Sequence, residues 1–157
     1  AVGDLIVGAL VAVNCFGDVV DPSTGAIIAG TLNREKTGFA DAQYVVNKAP
    51  GEEDHVFKSN TTIGIIATNA RLTKTQATKV AMMAHDGYAR AIRPVHTMYD
   101  GDTIFCLGFK EVRADITNLG SIASEVMGKA ILSAVKAAES AYGIPGYGEI
   151  SRRFGTL

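Results

Sequence analysis

Ser59-Asn60-Thr61-Thr62-Ile63-Gly64 joins a polar stretch to an apolar one and places a hydroxyl at the junction. A threonine hydroxyl is protonated at neutral pH and is a weak nucleophile by itself. If the bond before Thr61 is cut, the same residue gains a free α-amine, whose pKa near about 8 suits it to act as general base. Nucleophile and base then share one residue, with no separate histidine. Asn-Thr-Thr also opens ordinary strands, and spacing alone leaves both readings standing. The other polar candidates are bland when taken singly. Asn14, set in an apolar run, can satisfy buried backbone groups, and Asp100-Gly101-Asp102 has the composition of a tight turn. His85 and His96 invite a metal or triad reading, but no Cys/His/carboxylate cluster has zinc-like spacing, so surface or structural roles are expected of them. His55 reads as solvated. Cys15 and Cys106 are too few for a disulfide framework or a zinc site and read as small buried residues in a reducing, cytoplasmic compartment.

The elements that must position these residues follow from periodicity. Residues 5–20 are almost all apolar apart from Asn14 and fit one long buried strand or two strands meeting near Asn14. Asp21-Pro22-Ser23-Thr24-Gly25 is a turn. Residues 30–59 are polar and aperiodic, which predicts a long loop or mobile segment. A buried strand is expected over 61–69, with Gly64 marking close backbone approach. Thr73-Lys74-Thr75-Gln76 is a capping box, opening a helix with apolar residues at Ala77, Val80, Ala81, Ala84, Tyr88 and Ala91 and limited by Pro94. The adjacent Met82-Met83 pair is expected in the core. Another strand follows the Asp-Gly-Asp turn at Thr103–Leu107. Leu119, Ile122, Ala123, Val126, Met127, Ala130, Ile131, Ala134, Val135 and Ala138 then form one helical stripe, closed by Gly143 and Pro145. The tail to Leu157 is expected to be peripheral. Strand, helix, strand, helix after residue 60 predicts helices packed on a sheet, in an α/β or α+β arrangement.

Composition sets the outer limits. The 157 residues are 47% hydrophobic, enough for one domain with a sizeable core. Fifteen basic and sixteen acidic residues leave no surplus for a nucleic-acid backbone, and no apolar run nears the ~20 residues of a membrane span. The chain opens without an initiator Met, which reads as a processed start or a piece of a longer protein.

The run NTTIGIIATNARLTKTQATKVAMMAHDGYARAIRPVHTMYDGDTIF, followed by LGSIASEVMGKAIL, resembles the catalytic half of the DmpA-like family of N-terminal-nucleophile amidohydrolases. The likeness extends back through GDLIVGALVAVNCFGDVVDPSTGAIIAG. The family includes β-aminopeptidases, an L-aminopeptidase/D-esterase, a pantetheine hydrolase and nylon-oligomer hydrolases, and Asn-Thr at the junction is nearest the last two. The resemblance implies an αββα four-layer sandwich of the type shared with ornithine acetyltransferase, of which this single domain would be the C-terminal part. It also implies self-cleavage between Asn60 and Thr61, making 1–60 the end of an α-chain and 61–157 a β-chain. Thr61 would be the nucleophile, the Asn14 side-chain amide an oxyanion donor, and Asp100 and Asp102 the carboxylates that orient the Thr61 amine and hydroxyl.

The same resemblance implies no metal or organic cofactor, a small amide or peptide substrate, and a homotetramer. Family members are longer, and their N-terminal portion supplies a tyrosine and a lysine that have no counterpart here, so that portion, or a partner α-chain, is an expected companion. Met98 stands where the nylon-hydrolase branch has a further Asp. An acyltransferase of the ornithine type, with an amine in place of water, is the alternative on the same fold. A non-catalytic binding or assembly protein is the alternative outside enzymes.

Overall fold

The computed structural model describes residues 3–48 and 59–154. The elements, in chain order, are β1 (Val7–Ala12), β2 (Asp18–Val20), β3 (Ile27–Ala29), α1 (Ala42–Lys48), β4 (Ile63–Ala70), α2 (Lys74–Ala91), β5 (Ile92–Arg93), β6 (Thr103–Val112), α3 (Ile116–Ala137) and α4 (Tyr147–Phe154). They form two three-stranded sheets, ordered β1-β4-β6 and β3-β2-β5. In the first, β1 runs antiparallel to β4 and β4 parallel to β6, with α2 in the crossover. The second sheet is antiparallel. The chain is a mixed α/β protein, as its periodicity predicts.

One face of the first sheet is buried. Gly64, Ile66, Thr68 and Ala70 of β4 alternate inward, toward Val80, Ala84 and Tyr88 of α2 and Leu119, Ala123, Met127 and Ile131 of α3. Tyr88 and Met127 reach so close to β4 that a Cβ on Gly64 would lie 2.6 Å from the Tyr88 hydroxyl. The capping box forms: Thr73 Oγ1 accepts from the Gln76 N–H, and the Gln76 side chain accepts from the Thr73 N–H. The opposite face is open, with Leu10, Ile65 and Phe105 side by side in one row and Gly8, Ala67 and Leu107 in the next. Leu10 is 73% exposed and Phe105 58%.

Register fixes where polar residues can gather. Ala12, Ile63 and Thr103 are neighbours across the three strands. The residues just beyond β1, just before β4 and just before β6 therefore meet at one end of the sheet, although they are some ninety positions apart in sequence.

Several expectations change. Of the two readings of the 5–20 run, two strands parting near Asn14 holds, with the break at residues 13–17, but the strands belong to different sheets. The segment 30–59 is not all loop, because it holds α1. Its organiser is remote: the carboxylate of buried Asp18 accepts from the N–H groups of Ala42 at 2.6 Å and Thr31 at 3.2 Å. Local composition does not register such a tie. His55 lies outside the described residues. The tail is not merely peripheral, since α4 buries Ile150 and Ser151 and sets Phe154 edge-on to Phe39 at 5.7 Å. Met82 faces solvent, leaving Met83 against Gly120. Both cysteines are half-buried rather than buried.

Candidate active site

At that end of the sheet the Asn60–Thr61 peptide is held from both sides. Asn60 donates its N–H to the Tyr99 carbonyl at 2.8 Å, and the Asn60 carbonyl accepts from the Gly101 N–H at 2.8 Å. Thr61 donates its N–H to the Asn14 carbonyl at 2.9 Å. Thr62 donates its own N–H to Asp102 Oδ1 at 2.9 Å and accepts from the Thr103 N–H at 3.0 Å. The Thr61 hydroxyl donates to the carbonyl of Asn60, the bond in question, at 2.6 Å. The Thr61 hydroxyl, the Asn60 carbonyl and a main-chain donor thus occupy one small volume.

Glycine at 101 leaves room for this arrangement. A Cβ there would lie 2.9 Å from Thr61 Oγ1 and 3.8 Å from the Asn60 carbonyl oxygen. The two flanking aspartates are fixed differently. Asp100 accepts from the Phe16 N–H at 3.0 Å with one oxygen, and from the Thr97 N–H and hydroxyl at 3.1 and 2.5 Å with the other. It ties the β1–β2 connection to the loop before β6. Asp102, buried, spends its second oxygen on His96 Nδ1 at 2.8 Å.

Sequence reasoning names Thr61, Asn60, Asn14, Asp100 and Asp102, and the fold brings all five together. The contact of Asn14 with Thr61 is through its main-chain carbonyl. Its side chain is exposed, at the rim of a cavity of about 360 Å³ that also touches Phe16, Val45, Val46 and Asn60. Two neighbours of these residues carry no such signal in the sequence: His96, expected at the surface or in a structural role, is exposed and pairs with Asp102, and Gly101 of the expected turn donates to the Asn60 carbonyl.

Local electrostatics favour neutral partners. Burial pushes the Cys15 thiol up to about 12, with the negative charges of Asp100, Asp102 and Asp18 adding to it, so Cys15 is no thiolate and no rival nucleophile. Burial, and then Asp102, also hold the Tyr88 phenol above its ordinary value, keeping its proton beside the Thr62 carbonyl. Burial and the neighbouring His96 keep His85 below its usual range. Among the described residues no group of three or more His, Cys, Asp or Glu is placed to hold a metal ion. Nor is any helix among them long and apolar enough to cross a membrane.

The model of peptidase family S58 matches residues 1–148. The chain belongs to family S58. It is 40% identical to an uncharacterized aminopeptidase of Mycobacterium leprae over 96% of its own length and 46% of the relative's. An uncharacterized aminopeptidase of Mycobacterium tuberculosis shares 35% over 90% of the chain and 46% of the relative. A 6-aminohexanoate-oligomer endohydrolase of Paenarthrobacter ureafaciens shares 34% over 85% and 42%. The S58 chain thus spans about half the length of the curated relatives it matches, and these matches agree with the DmpA-like resemblance of its sequence.

Proposed function

We propose that this S58 chain carries the catalytic centre of a self-processing amide hydrolase, with Thr61 as nucleophile. The observation that supports it best is the Thr61 hydroxyl set 2.6 Å from the Asn60 carbonyl oxygen, while Gly101 donates to that same oxygen at 2.8 Å. In the first step Thr61 Oγ attacks the Asn60 carbonyl carbon, the C–N bond to Thr61 breaks, and the hydroxyl proton passes to the departing nitrogen. Water then hydrolyses the ester, returning the proton to Oγ and leaving a carboxylate on Asn60. The Gly101 N–H faces the oxygen that becomes negative, and a preorganised donor of this kind is worth roughly 3–4 kcal/mol of barrier.

The freed amine of Thr61 then acts as base for the same hydroxyl. It has the Asn14 carbonyl as acceptor, with Asp102 one peptide away. A substrate amide takes the place of the Asn60 carbonyl, with the Asn14 side-chain amide as a second oxyanion donor. Thr61 Oγ bonds to its carbonyl carbon, the amide C–N bond breaks, and the substrate amine leaves with the proton taken by the Thr61 amine. Water then hydrolyses the acyl-enzyme ester to a carboxylate. Two relatives are aminopeptidases by name and a third acts on 6-aminohexanoate oligomers, so a small amide or peptide is the proposed substrate class. Residues 1–60 would be the end of an α-chain and 61–157 a β-chain, in a cytoplasmic homotetramer.

The test is the intact mass of the denatured protein with N-terminal sequencing of every chain present. A chain beginning Thr-Thr-Ile-Gly is expected, and Thr61→Ala should abolish both cutting and amide hydrolysis. A single uncut chain, or hydrolysis surviving in Thr61→Ala, overturns the assignment.

A further inference from the structure

We propose that His96 is a positioning residue for the Thr61 reaction: it fixes the Asp102 carboxylate, which in turn fixes the peptide unit that carries Thr61. The inference rests on the reading of Thr61 given above. Asp102 has one oxygen on the Thr62 N–H at 2.9 Å and the other on His96 Nδ1 at 2.8 Å. A carboxylate held by one oxygen can still swing about its Cβ–Cγ bond; held by both, its plane is set. The side chain of Asp102 is 3% exposed and that of His96 39%, so the imidazole stands between the carboxylate and solvent.

Asp100 provides an internal comparison. Its oxygens are held by two main-chain N–H groups and a neighbouring hydroxyl, and it needs no remote side chain. Among the described residues, Asp102 draws its second contact from His96 alone. His96 is also set for the purpose. Its φ of 53° lies in the left-handed region, which residues other than glycine rarely adopt. Its ring rests 4.9 Å from that of His85 and 6.0 Å from that of Tyr88, both on α2. The titratable groups around it are therefore Asp102 from the approach to β6 and His85 and Tyr88 from α2, with Asp100 and Cys15 beyond Asp102.

A carboxylate only accepts, so Nδ1 carries the proton toward Asp102, and it does so whether or not Nε2 is also protonated. Positioning by that N–H makes two statements. An asparagine at 96 offers an amide N–H near the place of Nδ1 and restores the contact; a leucine cannot.

The experiment follows the first-order rate of Asn60–Thr61 cleavage after refolding, across pH, in the wild-type protein, His96→Asn and His96→Leu. His96→Leu should cut at least about tenfold more slowly, within the about 10²-fold that small misplacements cost, while His96→Asn stays near the wild-type rate with the wild-type pH profile. A His96→Leu rate equal to wild type, or a His96→Asn rate as low as His96→Leu in a folded protein, overturns the inference. If the wild type itself is never cut, the Thr61 reading fails. The His96 geometry is then judged by the imidazole ¹⁵N spectrum of Thr61→Ala: Nδ1–H supports it, and a neutral ring protonated only at Nε2 overturns it.

Discussion

At Gly101 the smallest side chain in the protein sits against its proposed nucleophile. The demand there is for space, since an added methyl would meet Thr61 Oγ1 at 2.9 Å. Gly101→Ala should therefore displace the hydroxyl and loosen the N–H from the Asn60 carbonyl. Self-cleavage is expected to slow by about 10–10²-fold, read as the decay of the uncut band, with the circular dichroism spectrum unchanged. Unchanged cleavage in Gly101→Ala would remove Gly101 from the reaction. Thr61 was legible in the sequence through the family resemblance, since a hydroxyl at a junction between polar and apolar runs leaves an ordinary strand start equally open. Gly101 and His96 were not, because their roles lie in what their atoms face. A main-chain N–H carries no residue-type signal, and a histidine paired with one aspartate has no metal-like spacing.

Elements with a strong period were readable, and those without one were not. The capping box at Thr73, the α2 stripe and the α3 stripe depend on neighbours three and four residues away, so their pattern is local. The short strands β2, β3 and β5, of three, three and two residues, have no room to show alternation. α1 depends on a carboxylate 24 positions earlier in the chain, and α4 on packing against β3 and α3. The seam between α2 and α3 gives the prediction at this scale. Gly87 on α2 lies so close to α3 that a Cβ would stand 2.4 Å from the Ser124 carbonyl oxygen and 2.9 Å from Met127 Cβ. Both are parts of a rigid neighbour. Gly87→Ala should push the helices apart and lower stability by about 1–3 kcal/mol, overriding alanine's better helix propensity. The denaturant midpoint measures it, and a midpoint at or above wild type would mean the seam has slack.

For the molecule as a whole, the most consequential surface is the open face of β1-β4-β6. Leu10, Ile63, Phe105, Leu107 and Phe109 all stand exposed on it, more than scattered surface residues require. An apolar face of this size is expected to be covered, so the 157-residue chain taken alone should associate through it. Lysine at both Phe105 and Leu107 should return that chain to monomer in sedimentation, without loss of helical signal; persistent association would place the contact elsewhere. The overall class was readable from the order of strands and helices, whereas the open face was not, because alternation marks two faces without saying what covers either. The grip on residues 60–62 has a consequence in time. The bonds that Tyr99 and Asp102 accept from the Asn60 and Thr62 N–H groups use no atom of the Asn60–Thr61 peptide unit and should outlast its cutting. Under the proposed reaction the new Asn60 carboxylate therefore stays seated on the Gly101 N–H, a tethered product at high effective concentration, inhibiting the enzyme that released it. Nicking would come first and turnover only after residue 60 peels away, so the onset of hydrolysis should trail the appearance of the Thr61 terminus by a measurable lag.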